Sequence, residues 1–349
     1  MGMIRFPASR LIWGGSSRGL RVEPGEPEDA SAVEARPWSG IDAYPRLVED
    51  GRRMPCQGCT PQWRFLVSAT KHILVDDPRP KVRRITLNRP EKHNPLSNAL
   101  RTNLYAAVEA ADADPDIHVA VIRGAGKSFS AGYDLASDIF ADQPWHTAGG
   151  QGNWARHVVE GHFKIWDLGI PVIAQVHGYC LAGGSELAAS CDLVYAAEDA
   201  QIGYPPVRLM CAPDMQYHVW LMGMRRAMEL MLTGDAISGK EAAEWGFANR
   251  ALPKTKLEKF TLDQAERIAK IPPELQQINK RSVHRAMEAM GVRNALRSGT
   301  ELMALGLNTE ASIEFAKKFQ ADLKKALTER DKAFGDYGAE KKAKPQKKK

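Results

Sequence analysis

The run Leu181-Ala182-Gly183-Gly184-Ser185-Glu186-Leu187 brings backbone donors and one carboxylate to the same small volume. It follows an apolar run, Pro171 to Val176, that reads as a buried strand, and it opens an Ala-rich segment, Leu187 to Ser190, that reads as a helix. Two glycines at such a junction let a ligand touch the backbone. The first amides of a helix lack internal partners and carry the positive end of its dipole, so an oxyanion placed there is stabilised without reorganisation. Glu186 falls in that first turn. It can simply complement the dipole, or it can move a proton on a bound carbonyl compound, a contribution of about 10² to 10⁴ in rate. A second glycine turn, Gly126-Lys127-Ser128-Phe129-Ser130-Ala131-Gly132-Tyr133-Asp134-Leu135, also follows a strand-like run, His118 to Ile122. Two such turns can supply one amide each to a developing oxyanion.

At these residues the chain resembles the crotonase superfamily, the enoyl-CoA hydratases and isomerases. The resemblance runs from about Val82 to Leu252 and continues more weakly to about Gly306. It is carried by Leu87-Asn88-Arg89-Pro90-Glu91-Lys92-His93-Asn94-Pro95-Leu96, by Phe129 to Leu135, by His177 to Leu187, by Cys191-Asp192-Leu193 and by Leu232-Thr233-Gly234-Asp235. It implies an α/β fold, a spiral of ββα units with a C-terminal helical trimerisation region. It further implies an acyl-CoA thioester as substrate, with CoA part of the substrate and no separate cofactor or metal, in a homotrimer or hexamer working in fatty acid metabolism. By position it implies that the Ala131 and Gly183 amides hold the enolate oxygen, that Glu186 is the acid/base, and that Asn94, Leu96, Gly132, Tyr133, Asp134, Leu135 and Gly184 contact substrate.

The chain also departs from the pattern. Family hydratases carry a second glutamate about twenty residues after the first, where this chain has Pro206 within Gln201-Ile202-Gly203-Tyr204-Pro205-Pro206-Val207-Arg208. Proline can neither give nor take a proton. Isomerases of the family generally keep the second acid and can lose the first, the opposite of this chain. Asp214, in Ala212-Pro213-Asp214-Met215, matches an aspartate of related CoA-thioester hydrolases. It reads either as a replacement acid or as a helix cap, since Pro-Asp before an apolar-periodic run is a common helix start. The expected activity is therefore hydratase-like. Thioester hydrolysis or another enolate reaction using Asp214 is the alternative, and a non-catalytic CoA-ester-binding or RNA-binding subunit is an alternative of a different class. Tyr204, Arg208 and His218 read as structural, and Asp134 reads as a helix cap.

Three other motifs fail on spacing. Gly124-Ala125-Gly126-Lys127-Ser128 resembles a phosphate loop, but position 121 is Val121 where glycine is required. Ser185 follows Gly183, but Leu187 stands where a nucleophile elbow needs its second glycine. His157, Glu160 and His162 lack the spacing of a zinc helix.

The 349 residues are 44% hydrophobic and 26% charged, ordinary for a folded chain with a large core. The net charge of +6 comes from six lysines in residues 341–349; the remainder holds 42 basic and 42 acidic residues. A neutral body with a short lysine tip argues against nucleic acid as a partner. Five scattered cysteines, including Cys56 and Cys59 without a second pair, fit a reducing compartment. The expected location is the cytoplasm. Mitochondria are the alternative, because the first 22 residues carry Arg5, Arg10, Arg18 and Arg21 and no acid. No apolar run reaches the ~18 residues of a membrane span.

The expected organisation is an atypical extension over 1–67, a core over 68–252, a helical region over 253–320 and a charged tail over 321–349 that is lysine-rich at its end. In the core, Ile73 to Val75 and Val82 to Leu87 read as strands around a turn at Asp76 to Lys81. Ser97 caps a helix with a stripe of Leu100, Leu104, Ala107, Val108 and Ala111. Val119 to Ile122, Pro171 to Val176 and Leu193 to Ala196 read as further strands, with a helix near Trp154 to Leu168. Beyond Asp214 the chain reads as helical, with Ser238 as one cap and helices at Leu257 to Ala269, Leu275 to Met290 and Asn294 to Leu305. The loop Asp138 to Gly152 reads as a lid.

Overall fold

Strands that are apolar at nearly every position must be buried on both faces, which requires a parallel sheet covered by helices. The computed structural model has this arrangement. It describes residues 70–136 and 153–337, all within the unit Pro61–Lys349. The strands are β1 (Ile73–Arg79), β2 (Val82–Leu87), β3 (Val119–Gly124), β4 (Val172–Val176), β5 (Tyr179–Leu181), β6 (Leu193–Ala197), β7 (Gln201–Gly203), β8 (Ala236–Ser238) and β9 (Arg250–Leu252). The helices of the core are α1 (Asn98–Ala113), α2 (Asn153–Trp166), α3 (Gly183–Ala189), α4 (His218–Met222), α5 (Met224–Thr233) and α6 (Gly239–Trp245). They are followed by α7 (Lys254–Ile268), α8 (Pro273–Ala289), α9 (Val292–Leu307), α10 (Glu310–Ala321) and α11 (Leu323–Lys332).

One sheet has the order β1-β2-β3-β4-β6-β9 and is parallel except for the β1–β2 pair. A second, smaller sheet has the order β5-β7-β8. The crossover α1 packs on β2 through Leu100, Leu104 and Val108, all fully buried. It starts where the sequence places it, with Ser97 Oγ accepting from the Leu100 amide at 3.3 Å. Ser238 opens α6 with a reciprocal capping box through Glu241.

The structure differs from the sequence reading at one turn and adds elements that the reading did not place. The β1 strand does not turn at Asp76: pairing continues to Asp76 opposite Arg84 and resumes at Arg79 opposite Val82, so a register irregularity absorbs Pro78 at this sheet edge. The strands β5, β7, β8 and β9 have three residues each and carry too little periodicity to be read. Finally, part of the segment expected as a charged tail is a helix, α11, and the chain after it stays packed to Tyr337.

Arg208 holds that last segment. Its guanidinium donates to Asp331 at 3.2 Å, Asp235 at 2.8 Å and both carboxylate oxygens of Asp336 at 2.7 Å, and it lies 3.8 Å from the Phe334 ring centroid. The Arg208 side chain is 1% exposed and Asp331 6%, whereas Asp336 and Asp235 stay 31% and 60% exposed. Arg208→Met removes the cation that joins Asp235, Asp331 and Asp336, while Arg330 still pairs with Asp331 at 2.8 and 2.9 Å. It is expected to cost about 2 kcal/mol in urea unfolding, with faster proteolysis after Asp322. Unchanged stability and protease resistance would show that the clamp does not hold the segment.

Among the described residues no helix is long and apolar enough to cross a membrane. The expectations placed on residues 1–67, on Cys56 and Cys59, on the loop Asp138 to Gly152 and on the lysines of 341–349 lie outside the described residues.

Candidate active site

The two glycine turns are stitched together by backbone hydrogen bonds. Phe129 N donates to His177 O at 2.7 Å, Ser130 N to Tyr179 O at 3.0 Å and Leu181 N to Ser130 O at 3.0 Å. The fit is close enough that a Cβ on Gly178, at φ +57°, would lie 2.0 Å from Lys127 O. Gly132, at φ +106°, meets Ala182 the same way. Chain segments fifty residues apart in sequence thereby present one continuous wall.

This stitching decides which amides are open. The Ala131 amide, expected to hold an oxyanion, donates to His93 O at 2.9 Å and is already committed. Gly132 N donates to Ser130 Oγ at 3.2 Å. Leu96 bridges this turn by donating to Gly132 O at 2.8 Å and accepting from Asp134 N at 3.3 Å, which leaves the Tyr133 amide outside the bridge. The Ala131 amide, expected to hold an oxyanion, is therefore not open in this structure. Among the described residues, the Tyr133 amide and the Gly183 amide at the first position of α3 have no hydrogen-bond acceptor.

Glu186 is 1% exposed and anchored on both oxygens. Tyr133 Oη donates to Oε2 at 2.7 Å and Met215 N donates to Oε1 at 3.1 Å. The Asp214 amide and the Tyr204 phenol add further hydrogen bonds. Burial raises the Glu186 pKa to about 7, with these donors opposing part of the rise. Burial also pushes both phenols, Tyr133 and Tyr204, well above the ordinary tyrosine range, reinforced by the charge of Glu186, so both stay protonated donors.

Asp214 is 1% exposed, and its Oδ1 has no hydrogen-bond partner. It does not cap a helix: α4 begins at His218, and the residue at its cap position is Tyr217. Burial first, then the charge of Glu186, raise the Asp214 pKa well above the carboxylate range, against a smaller opposing effect of Arg101. Of the two carboxyl groups, Glu186 has the donors that favour the anion. Asp214, with Oδ1 unpartnered, has its protonated form favoured.

Behind Tyr133 lies a buried cation. Arg101, 1% exposed, sits 5.9 Å from the Tyr133 ring centroid and 5.0 Å from that of Trp154, and the two rings meet edge to face at 5.3 Å. Arg101 can only donate, so His157 Nδ1, 2.9 Å away, accepts, and burial lowers the His157 pKa to about 3. His162 bonds Val158 O and Glu160 pairs with Arg297. Among the described residues no group of three or more His, Cys, Asp or Glu is placed to hold a metal ion.

A cavity of about 580 Å³ opens at this wall. Ala131, Tyr133, Leu135, Ala182, Tyr204, Pro206 and Asp214 line one end, and apolar side chains of α9 to α11, including Met303, Leu307, Phe315, Phe319 and Leu327, line the other. Pro206 presents its ring where the resemblance expects an acid. Tyr204, read as structural, turns out to touch both the cavity and Glu186.

Several residues expected to contact substrate hold the scaffold. Asn94 is fully buried, with Nδ2 donating to Ala125 O and Ser128 O and Oδ1 accepting from Arg89 N. Leu96 is in the core, and Asp134 is ion-paired with Arg89. Gly184 packs against Ser130, where a Cβ would lie 2.5 Å from its carbonyl oxygen.

A profile of the enoyl-CoA hydratase/isomerase family matches residues 79–334. The chain belongs to this family. The resemblance read from the glycine motifs is thereby confirmed, as is the α/β fold. The chain is 38% identical over 245 residues to EchA13 of Mycobacterium tuberculosis, covering 65% of this chain and 76% of that protein. It is 32% identical over 227 residues to the mevalonyl-coenzyme A hydratase sidH of Aspergillus fumigatus, covering 64% and 82%. The crystal structure of an enoyl-CoA hydratase from Mycobacterium smegmatis superposes with a TM-score of 0.70 at 32% identity, covering 77% of this chain and 97% of that one. This family member is accordingly an enoyl-CoA hydratase-like acyl-CoA enzyme.

Proposed function

We propose that the protein binds an acyl-CoA thioester in the 580 Å³ cavity and stabilises enolate character at its carbonyl oxygen with the Tyr133 and Gly183 amides. The leading reaction is addition of water to an enoyl-CoA. Glu186 accepts a proton from the water as the water oxygen bonds to the β carbon, the electron pair moves to the thioester oxygen, and Asp214 returns a proton to the α carbon. The observation that carries this reading is the buried Glu186 carboxylate, its pKa at about 7 and its oxygens fixed at 2.7 and 3.1 Å, beside two open amides. An acid poised near neutral pH beside fixed donors is what proton transfer at a thioester requires.

A second reading is supported by Asp214, whose Oδ1 has no partner at the cavity wall. There it could direct water at the thioester carbonyl, giving hydrolysis or another enolate reaction in place of hydration. One assay separates the two. Incubated with a panel of short, long and branched enoyl-CoAs, the protein is expected to bleach the conjugated-thioester absorbance without releasing free thiol. Thiol release in its place supports hydrolysis, and CoA-ester binding with neither change supports the non-catalytic subunit.

Exposed Met224, Met228 and Leu232 on α5, with Ile278 and Val283 on α8, support assembly into a homotrimer or hexamer. Three buried, unpaired cysteines, Cys180, Cys191 and Cys211, support a reducing compartment such as the cytoplasm. Fatty acid metabolism is the pathway class that an acyl-CoA substrate supports.

A further inference from the structure

Glu186 is not among the residues that line the cavity, whereas Tyr133 is. Tyr133 reaches the carboxylate on its other side, its hydroxyl 2.7 Å from Oε2. The Tyr204 phenol also bonds the carboxylate from the cavity wall, and Tyr133 is the one whose ring packs on Gly183, the oxyanion amide. The opposite carboxylate oxygen is held by the Met215 amide at 3.1 Å. The direct hydrogen-bonded route between Glu186 and a molecule in the cavity runs through the hydroxyl that occupies this position. Displacement of the Tyr133 hydroxyl is resisted by the packing of the ring. Trp154 meets it edge to face at 5.3 Å, the Arg101 guanidinium lies 5.9 Å from its centroid, and Gly183 lies beneath it so closely that a Cβ there would come within 2.6 Å of two ring carbons.

We propose that Tyr133 is a catalytic residue, the hydroxyl through which the proton travels between the reacting water and Glu186. This rests on the acyl-CoA reading and adds a residue to it. In the hydration direction, the water oxygen forms its bond to the β carbon and one water proton passes to Tyr133 Oη. The phenolic proton passes to Glu186 Oε2 in the same step. The carbon–carbon π electrons move to the thioester oxygen at the two amides, and the α carbon is then protonated by Asp214. Tyr133 begins and ends as a phenol, and Glu186 gains the proton that the water loses. The elevated phenol pKa fits this role, because a phenol that does not ionise at neutral pH can relay a proton without storing charge.

Tyr133→Phe keeps the ring and its packing and deletes the hydroxyl, and with it both the relay and a donor that holds the Glu186 pKa down. Its pH–rate profile therefore shifts upward, whereas the isotope dependence reads the relay alone. Expected is a fall in kcat of about 10²-fold with KM within about threefold of wild type. The Tyr133→Phe/Glu186→Gln double variant is expected to be no slower than Glu186→Gln alone, because the two groups act as one unit. The wild type gives an independent readout: turnover in mixtures of light and heavy water should curve as two protons in flight require. Wild-type kcat in Tyr133→Phe, losses that multiply in the double variant, or a linear isotope dependence each overturn the relay while leaving the acyl-CoA reading standing. A wild type that turns over no acyl-CoA overturns that reading, and the relay with it.

Discussion

Glu186→Gln is expected to lower kcat by about 10³-fold while leaving CoA-ester binding within a few-fold of wild type. The amide side chain has the same shape and keeps an oxygen for the Met215 amide, so the wall of the cavity is preserved and only the proton acceptor is lost. The same variant has a signature in stability. Burial raises the Glu186 pKa from 4.5 to about 7 in the folded protein. Between these pH values the folded state holds a proton that the unfolded chain has already released. Wild-type stability should therefore fall as pH rises from about 4.5 to 7 through Glu186, about 3 kcal/mol from this group, with Asp214, also raised, adding a further fall that both proteins share. Glu186→Gln cannot ionise and should show a flatter profile and higher stability at pH 8. Chemical denaturation at four pH values reads this directly. A variant that keeps full turnover, or whose pH profile matches wild type, would show that Glu186 is not the ionising group of the site.

Gly183→Ala tests the opposite side of the reacting carbonyl. Its Cβ would fall 2.6 Å from two carbons of the Tyr133 ring, closer than van der Waals contact allows, so the ring or the start of α3 has to move. Either movement separates the Tyr133 and Gly183 amides and weakens the Tyr133–Glu186 hydrogen bond. The expected result is a loss of at least about 10² in kcat, the scale of one misplaced oxyanion donor, with a stability cost of about 2 kcal/mol from overpacking. Gly223→Ala is the control. It has open space around it but φ +78°, so it should cost about 1 kcal/mol of stability without changing kcat. Equal kinetic losses in the two variants would show that instability, and not the displaced amide, lowers the rate.

The sequence shows a feature where the controlling interaction is local and hides it where the controlling interaction is distant. The strand β2 and the start of α1 are legible because a run of apolar residues and one capping serine decide them within a few positions. The glycine turns are legible for the same reason. The family resemblance implies Ala131 as an oxyanion amide, and nothing near it in sequence shows that His93, 38 positions earlier, takes that donor. Asp214 reads as a cap from its neighbours, yet α4 starts four residues later, and Asp214 is left facing the cavity. Tyr204 carries no pattern of its own beside two prolines. The clamp on α11 joins Arg208 to residues more than a hundred positions away, beyond any periodicity.

If the main-chain amides of Tyr133 and Gly183 polarise the carbonyl of a bound CoA ester, the carbonyl itself carries the signature. It can be read in infrared difference spectra of a thioester labelled with carbon-13 at the carbonyl, bound to Glu186→Gln so that turnover is suppressed. The carbonyl stretch is expected to move to lower frequency on binding, and to move much less in Gly183→Ala. A bound thioester whose carbonyl absorbs at its solution frequency would show that no such pair of donors acts on it.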